Sequence, residues 1–309
     1  MFVYIIKTNE IYTKIIKKER REVNRVGLHE KMEALEAVRR KAEISVVIAG
    51  IGILVLITSM FTRYVFLFGV LGMVMLVVGA TRAKGVKGEY QMLYKQLFAE
   101  EPLRANFDNV FYDWKSGFSE AAVRSFQLCA MGNRFRSEDY LRASYRGINF
   151  EMSDVTVEYH TSNGKSSSTT VYFRGRMFAF EFPGQFNSST RIYTTQHRYR
   201  GAQNTPKIQK VEMESVQFNK DFDVYSTSPH DAFYLLTPQY MEYLDTLSRR
   251  YPSMAIHFMG NKLFLGFNEP DKDVFDKKDW LKEASYPEEM EKVQRDIDEI
   301  KQVIDMFFV

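Results

Sequence analysis

Apolar positions cluster most densely in two runs, Ile44 to Phe61 (ISVVIAGIGILVLITSMF) and Tyr64 to Ala80 (YVFLFGVLGMVMLVVGA), separated only by Thr62-Arg63. Neither run holds an ionisable side chain apart from the tyrosine at the edge of the second. A helix of about 18 residues spans about 27 Å, close to the hydrocarbon thickness of a bilayer. The pattern predicts a transmembrane helical hairpin over 44–80. A buried hairpin in a soluble core is the competing reading, and soluble cores rarely carry two such runs back to back.

The flanks keep a helical period. Met32, Leu35, Val38 and Ala42 recur at spacings of three and four among Glu, Lys and Arg, and no Pro or Gly interrupts 28–49. The first membrane helix is therefore expected to project beyond the bilayer. After Ala80, Tyr90, Leu93, Tyr94, Leu97 and Phe98 share a face, which predicts a juxtamembrane helix over 81–104 pairing with the first extension as a stalk. Gly85 and Gly88 weaken that helix by about 1 kcal/mol each, and Pro102 is expected to end it.

Beyond a stretch with little pattern, where Val123 to Met131 reads as a strand or a short buried run, the period changes to two. Val155, Val157 and Tyr159 alternate up to Asn163-Gly164, and Val171 and Phe173 follow, which predicts a hairpin. Phe178, Phe180 and Phe182 alternate up to Pro183-Gly184; 191–197 and 211–216 read as further strands, with a polar loop, 200–207, between them. Tyr240, Tyr243, Leu244 and Leu247 predict a helix over 238–249. Two short strands around Gly260-Asn261 form a second hairpin. Ser285 and Glu288 have capping-box spacing ahead of Val293, Ile297, Ile300, Ile304 and Phe307, a seam expected to pack on the domain's own sheet. The expected fold class is α+β: a basic tail with the start of a helix over 1–43, the hairpin, the juxtamembrane helix, and a mainly antiparallel α+β domain over 105–309.

Charge gives the hairpin a direction. Residues 1–43 hold 11 Lys/Arg and 7 Glu, the hairpin adds Arg63, and with a total of +3 the remainder nets −2. Arg39, Arg40 and Lys41 flank one membrane end, and Arg82, Lys84 and Lys87 the other. The positive-inside rule then predicts that both termini, and with them the α+β domain, are cytoplasmic and that the turn lies outside. A cleavable secretory signal does not fit, because the first apolar run begins behind a long charged segment. Six of the twelve residues from Lys14 to Arg25 are basic, suited to anionic lipid or to nucleic acid. The net negative charge of the α+β domain argues against nucleic acid as its partner.

No recognised catalytic pattern is present. Gly50-Ile51-Gly52 lies within a membrane run and is no dinucleotide turn. His29, His160, His197, His230 and His257 have no ligand spacing, so neither a metal nor a cofactor is expected. The single cysteine, Cys129, reads as a small buried residue, and Asp154 and Glu158 as solvated strand charges. One stretch has recognition character: Arg191, Arg198 and Arg200 are interleaved with Tyr193, His197 and Tyr199, a pattern that can clamp an anion or stack on a flat ligand. These six are the candidate ligand- or partner-binding residues. Gly52, Gly69 and Gly72 are the candidate positions for close packing of the membrane helices.

Several longer stretches carry a resemblance: MEALEAVRRKA before the double apolar run, SEDYLRASYRGINFEMSDV, FRGRMFAFEF, VEMESVQFNKDFDVYSTSPHDAFYLLTPQYMEYL and KLFLGF. Over about residues 28–309 the chain resembles the bacterial membrane family known as domain of unknown function 3137. The resemblance implies a membrane anchor with a cytoplasmic α+β domain and a LemA-like membrane protein as partner. It supplies no catalytic residues. The expected role is a membrane-anchored binding or scaffolding protein. The alternatives are a membrane-bound enzyme with an unrecognised site and a regulator touching nucleic acid through residues 14–25.

Overall fold

A computed structural model describes residues 2–164, 166–197, 199, 207–269, 275 and 279–308, with side chains from 27 onward except that of Pro183. The chain divides into two compact units. One comprises Met1–Pro102 with Phe275–Gln294, the other Leu103–Val274 with Arg295–Val309.

The first unit is built on two long helices, α1 (Phe2–Ser59) and α2 (Val65–Lys95), joined through a turn at Met60–Tyr64. Both apolar runs are helical, as their composition predicts, and both helices are long and apolar enough to cross a membrane. The seam between them is made of small residues. Ala42, Ser45, Gly52 and Ser59 on α1 are buried, as are Gly72 and Gly79 on α2. A Cβ built on Gly52 would lie 2.8 Å from Gly72 O, and one on Gly72 would lie 2.9 Å from Gly52 O, so these two glycines face each other. A Cβ on Gly69 would meet Ser59 Oγ at an ordinary 3.8 Å. Gly79, not singled out by the sequence, makes the tightest approach, 2.6 Å to Ala49 N.

Beyond the apolar stretch α1 and α2 continue together. Leu35, Val38, Tyr90 and Tyr94 are buried, with Trp280 against Tyr90 and the Tyr94 hydroxyl donating to Glu289 Oε2 at 2.6 Å. The helix does not end at Pro102. A π-helical turn, Gln96–Glu100, passes into α3 (Glu101–Asn106), which has Pro102 at its second position. Proline is tolerated in the first turn of a helix, where its missing N–H leaves no bond unmade, and the π turn resets the ladder just before it.

The second unit is an antiparallel sheet with helices on both faces. Its elements are β1 (Asp108–Asp113), α4 (Glu120–Phe126), β2 (Arg134–Tyr145), β3 (Ile148–Ser162), β4 (Ser167–Thr194), β5 (Gln209–Val211), α5 (Val216–Asp221), β6 (Phe222–Ser226), α6 (Pro229–Leu235), α7 (Pro238–Arg250) and β7 (Met254–Asn268), followed by α8 (Tyr286–Phe308), whose first turns belong to the other unit. The strand order is β1-β2-β3-β4-β6-β5, with β7 also paired to β4. β4 bends between Glu181 and Thr190: Gly175–Glu181 pairs with Lys262–Asn268, and Thr190–Tyr193 with Ala255–Phe258. β7 itself doubles back at Gly260, which has φ 61°, and the Asn268 amide reaches Ser253 O at 2.9 Å. The predicted hairpin around Gly260-Asn261 is thus inserted between the two limbs of β4.

Val123 to Met131 is not a strand. It is the end of α4 and the buried Leu128 and Cys129 beyond it, packed with Val155, Val157, Met177, Ala179 and Phe264 on one face of the sheet. Burial pushes the Cys129 thiol up to about 12, so it stays a neutral apolar residue. The strand expected over 211–216 is not there: β5 lies upstream at Gln209–Val211 and shares only Val211 with it, and Ser215 accepts from Phe218 N and opens α5. The other face of the sheet carries α8, with Ile297, Ile300 and Ile304 buried, Phe308 against Phe180 and Phe307 against Tyr240.

Candidate functional site

The interleaved arginines and aromatics over 191–200 lie mostly inside the domain. Arg191, Tyr193 and His197 are 3%, 0% and 2% exposed, and Tyr199 is half-buried against the same core. Arg198, Arg200 and the polar loop through 206 lie outside the described residues. What the buried side chains recognise is the end of α4. Ser119 caps the start of that helix, and Gln127 at φ 57° ends it. The last carbonyls of a helix have no partner within it. Here His257 Nδ1–H donates to Phe126 O at 2.9 Å, the Tyr193 hydroxyl to Gln127 O at 3.4 Å and His197 Nε2–H to Leu128 O at 2.8 Å. Arg191 donates to the Gln127 side chain.

The other ring nitrogens accept from hydroxyls, His257 Nε2 from Ser189 at 2.8 Å and His197 Nδ1 from Ser253 at 3.2 Å. Burial drives the His257 imidazole down to about 4, so it is neutral at pH 7. Arg191, Tyr193 and His197, named as candidate ligand- or partner-binding residues, are thus buried, and here they hold α4 on the sheet. Replacing all three with alanine is expected to cost about 2 kcal/mol or more per residue through cavities and lost hydrogen bonds. A thermal melt of the intact protein in detergent should show a large loss of midpoint rather than selective loss of one partner. An unchanged midpoint would return these residues to a binding role.

A second buried group lies on the α8 face. Arg176 Nη1 donates to both carboxylate oxygens of Asp296, at 2.7 and 2.6 Å, and Arg176 Nε to Asp154 at 3.2 Å. Asp154 is thus not a solvated strand charge. Glu158 is paired with Arg174 at 2.7 Å. Burial raises the Asp154 carboxyl to about 7, against the smaller pull of Arg176, which is already engaged by Asp296.

An open cavity of the second unit, about 230 Å³, is a groove on the α4 face of the sheet, lined in part by Asn109, Arg142, Asn149, Glu151, Glu181 and Lys262. Its floor follows from register. Arg142 is opposite Glu151, Glu151 opposite Ala179, and Glu181, two residues on, opposite Lys262. Side chains two apart share a face, and the small Ala179 between Glu151 and Glu181 leaves the hollow. Four adjacent strands thus present, in spatial order, a cation, two carboxylates and a cation.

Opposite charges at facing sheet positions ordinarily pair. These four form no ion pair among the described residues. The Arg142 guanidinium sits 5.6 Å from the Phe111 ring centroid. Glu151 hydrogen-bonds the Tyr140 phenol, whose ionisation burial and that carboxylate both resist. Glu181 accepts from Asn149 Nδ2 at 2.9 Å. Neutral neighbours hold three of the charged groups and leave their charge uncompensated. Sequence reasoning missed this site because its residues come from five strands spread over 109–262.

Among the described residues no three His, Cys, Asp or Glu side chains are grouped to hold a metal ion. Residues 171–308, from within β4 to the end of α8, match the family described as protein of unknown function DUF3137, the family to which the sequence motifs pointed. No curated protein matches the chain. The crystal structure of the mycobacterial trehalose monomycolate transport factor A, TtfA, is similar at 9% identity with a TM-score of 0.38, covering 69% of this chain and 93% of that one.

Proposed function

We propose that this protein is a membrane-anchored binding protein. In this reading the helical hairpin spans the bacterial cell membrane, and the α+β domain binds its ligand or partner on the cytoplasmic side through the groove over Ala179. The observation that carries the anchor is exposure. Only 22% and 11% of the most apolar windows of the two helices are buried, whereas a soluble core helix of that composition would be mostly covered. Leu54, Phe61, Phe66 and Leu67 are 61%, 88%, 83% and 66% exposed. Together with their neighbours on the two runs they form an apolar surface far larger than soluble monomers leave to water, and lipid is the solvent that suits it. The basic flanks Arg39–Lys41 and Arg82–Lys87, against the single Arg63 of the turn, support cytoplasmic termini.

Membrane-impermeant thiol labelling of whole cells tests the topology. In a Cys129→Ser background, Thr62→Cys should label from outside and Ser166→Cys only after lysis. Labelling of Ser166→Cys in intact cells would reverse the orientation, and release of the protein by alkaline carbonate would remove the anchor.

A further inference from the structure

We infer that the groove over Ala179 binds a small zwitterion of the α-amino-acid class, its ammonium between Glu151 and Glu181 and its carboxylate on Arg142 or Lys262. The inference rests on the groove being the binding surface proposed above and adds the chemistry of the ligand. Three properties of the site lead to it.

The first is charge order. Reading across β2, β3, β4 and β7, the side chains facing the groove are Arg142, Glu151, Glu181 and Lys262, cationic at both ends and anionic in the middle. A purely anionic ligand would meet two carboxylates at the centre, and a purely cationic one would meet a basic group at either end. A molecule carrying both charges satisfies the centre and one end together.

The second is spacing. Glu151 and Glu181 are diagonal neighbours on adjacent strands, about 7–8 Å apart at the backbone, a gap that one ammonium can bridge by hydrogen bonds to both. Arg142 and Glu151 are directly opposed, about 5 Å apart at Cβ, as are Lys262 and Glu181. Each acid therefore has a cation one strand away, which suits a ligand whose opposite charges are themselves only a few ångströms apart. The planar Arg142 fork suits a carboxylate. Asn109 and Asn149 on the lining offer further donors and acceptors.

The third is that the charges are open. Arg142, Glu181 and Lys262 are exposed and Glu151 is half-buried, and their mutual pairing is replaced by Phe111, Tyr140 and Asn149, so a ligand does not have to break an ion pair on entry. At about 230 Å³ the groove is below the range of drug-sized pockets, which favours a molecule no larger than an amino acid.

The test is isothermal titration of the intact, detergent-solubilised protein with L-alanine, L-glutamate and L-lysine, alongside acetate, methylammonium and triglycine. At least one amino acid should bind, with acetate and methylammonium each at least tenfold weaker. Triglycine, whose termini are far apart, should also be weaker. Arg142→Gln and the pair Glu151→Gln with Glu181→Gln should each reduce affinity about tenfold or more, with thermal midpoints little changed because glutamine keeps the size of glutamate and its amide oxygen can still accept from Tyr140 and Asn149. Ala179→Leu should block the hollow. Binding of no amino acid overturns the inference, as does acetate binding as tightly as the best amino acid, or affinity that survives loss of both carboxylates. Triglycine binding as tightly as the free amino acids would replace the ligand class by peptide ends. If no zwitterion binds while the groove variants still lose a co-purifying partner, this inference fails and the proposed function stands.

Discussion

Replacing Arg176 with methionine is expected to destabilise the α+β domain by about 3–5 kcal/mol, because it leaves the buried Asp296 and the half-buried Asp154 without their cation. Arg176 and Asp296 are 8% and 2% exposed, and the guanidinium is the shared partner of Asp296 and Asp154. Methionine fills much of the same volume, so the loss is electrostatic rather than a cavity. Set against a total stability of about 5–15 kcal/mol, it is a large fraction, and for a domain of this size it corresponds to roughly 10 °C in midpoint.

The loss should also depend on pH, with a sign fixed by Asp154. Burial raises this carboxyl from 3.8 to about 7. Between those values the native state holds a proton that the unfolded chain has released, so the Asp154 contribution to stability is present at low pH and is lost as pH rises through about 7. The Arg176→Met variant is therefore expected to melt further below wild type at pH 8 than at pH 5. Adding Asp296→Leu should recover part of the loss. A melt within about 1 kcal/mol of wild type at pH 8 would show that the cluster carries little stability.

The parts of the fold that read directly from the sequence are those in which the signal is local. Ile44 to Ala80 needs only composition and length, the hairpin around Gly260 only alternation and a turn dipeptide, and the α8 seam only its period. α4 was not legible because seven residues supply just two apolar positions of a helical face, Val123 and Phe126, ahead of a left-handed Gln127. The cluster at 191–197 was legible as chemistry but not as direction. Alternation places Arg191 and Tyr193 on one face of a strand, and that face is interior only because Phe126–Leu128, more than sixty residues earlier, lies on it. Asp154 likewise becomes a half-buried member of an ion cluster only when α8 delivers Asp296 to Arg176. The groove is further from the sequence still, since a one-residue slip of any of its strands would turn its charges to the other face.

Substituting leucine at Gly79 is expected to separate the two long helices, with the same change at Gly52 or Gly72 nearly as damaging and at Gly69 mild. In the lipid environment proposed for these helices no hydrophobic drive holds them together, so close backbone contact between small residues would supply much of the attraction. A Cβ at Gly79 would lie 2.6 Å from Ala49 N and 2.8 Å from Ser45 O, both backbone atoms of the facing helix. Backbone cannot swing aside as a side chain can, so α1 would have to move bodily. At Gly52 the first obstacles are also backbone, Leu76 N at 2.7 Å and Gly72 O at 2.8 Å, whereas at Gly72 one of the three is the Leu56 side chain. Gly69 faces only Ser59 Oγ at 3.8 Å. Cysteines placed at Ser59 and at Gly69, in a Cys129→Ser background, report the separation by oxidative cross-linking. The yield should fall several-fold when Gly79→Leu is added, and stay near the parent level when Gly50→Leu, whose Cβ meets nothing within 4 Å, is added instead. Equal yields for the Gly79 and Gly50 variants would show that the helices do not depend on this seam.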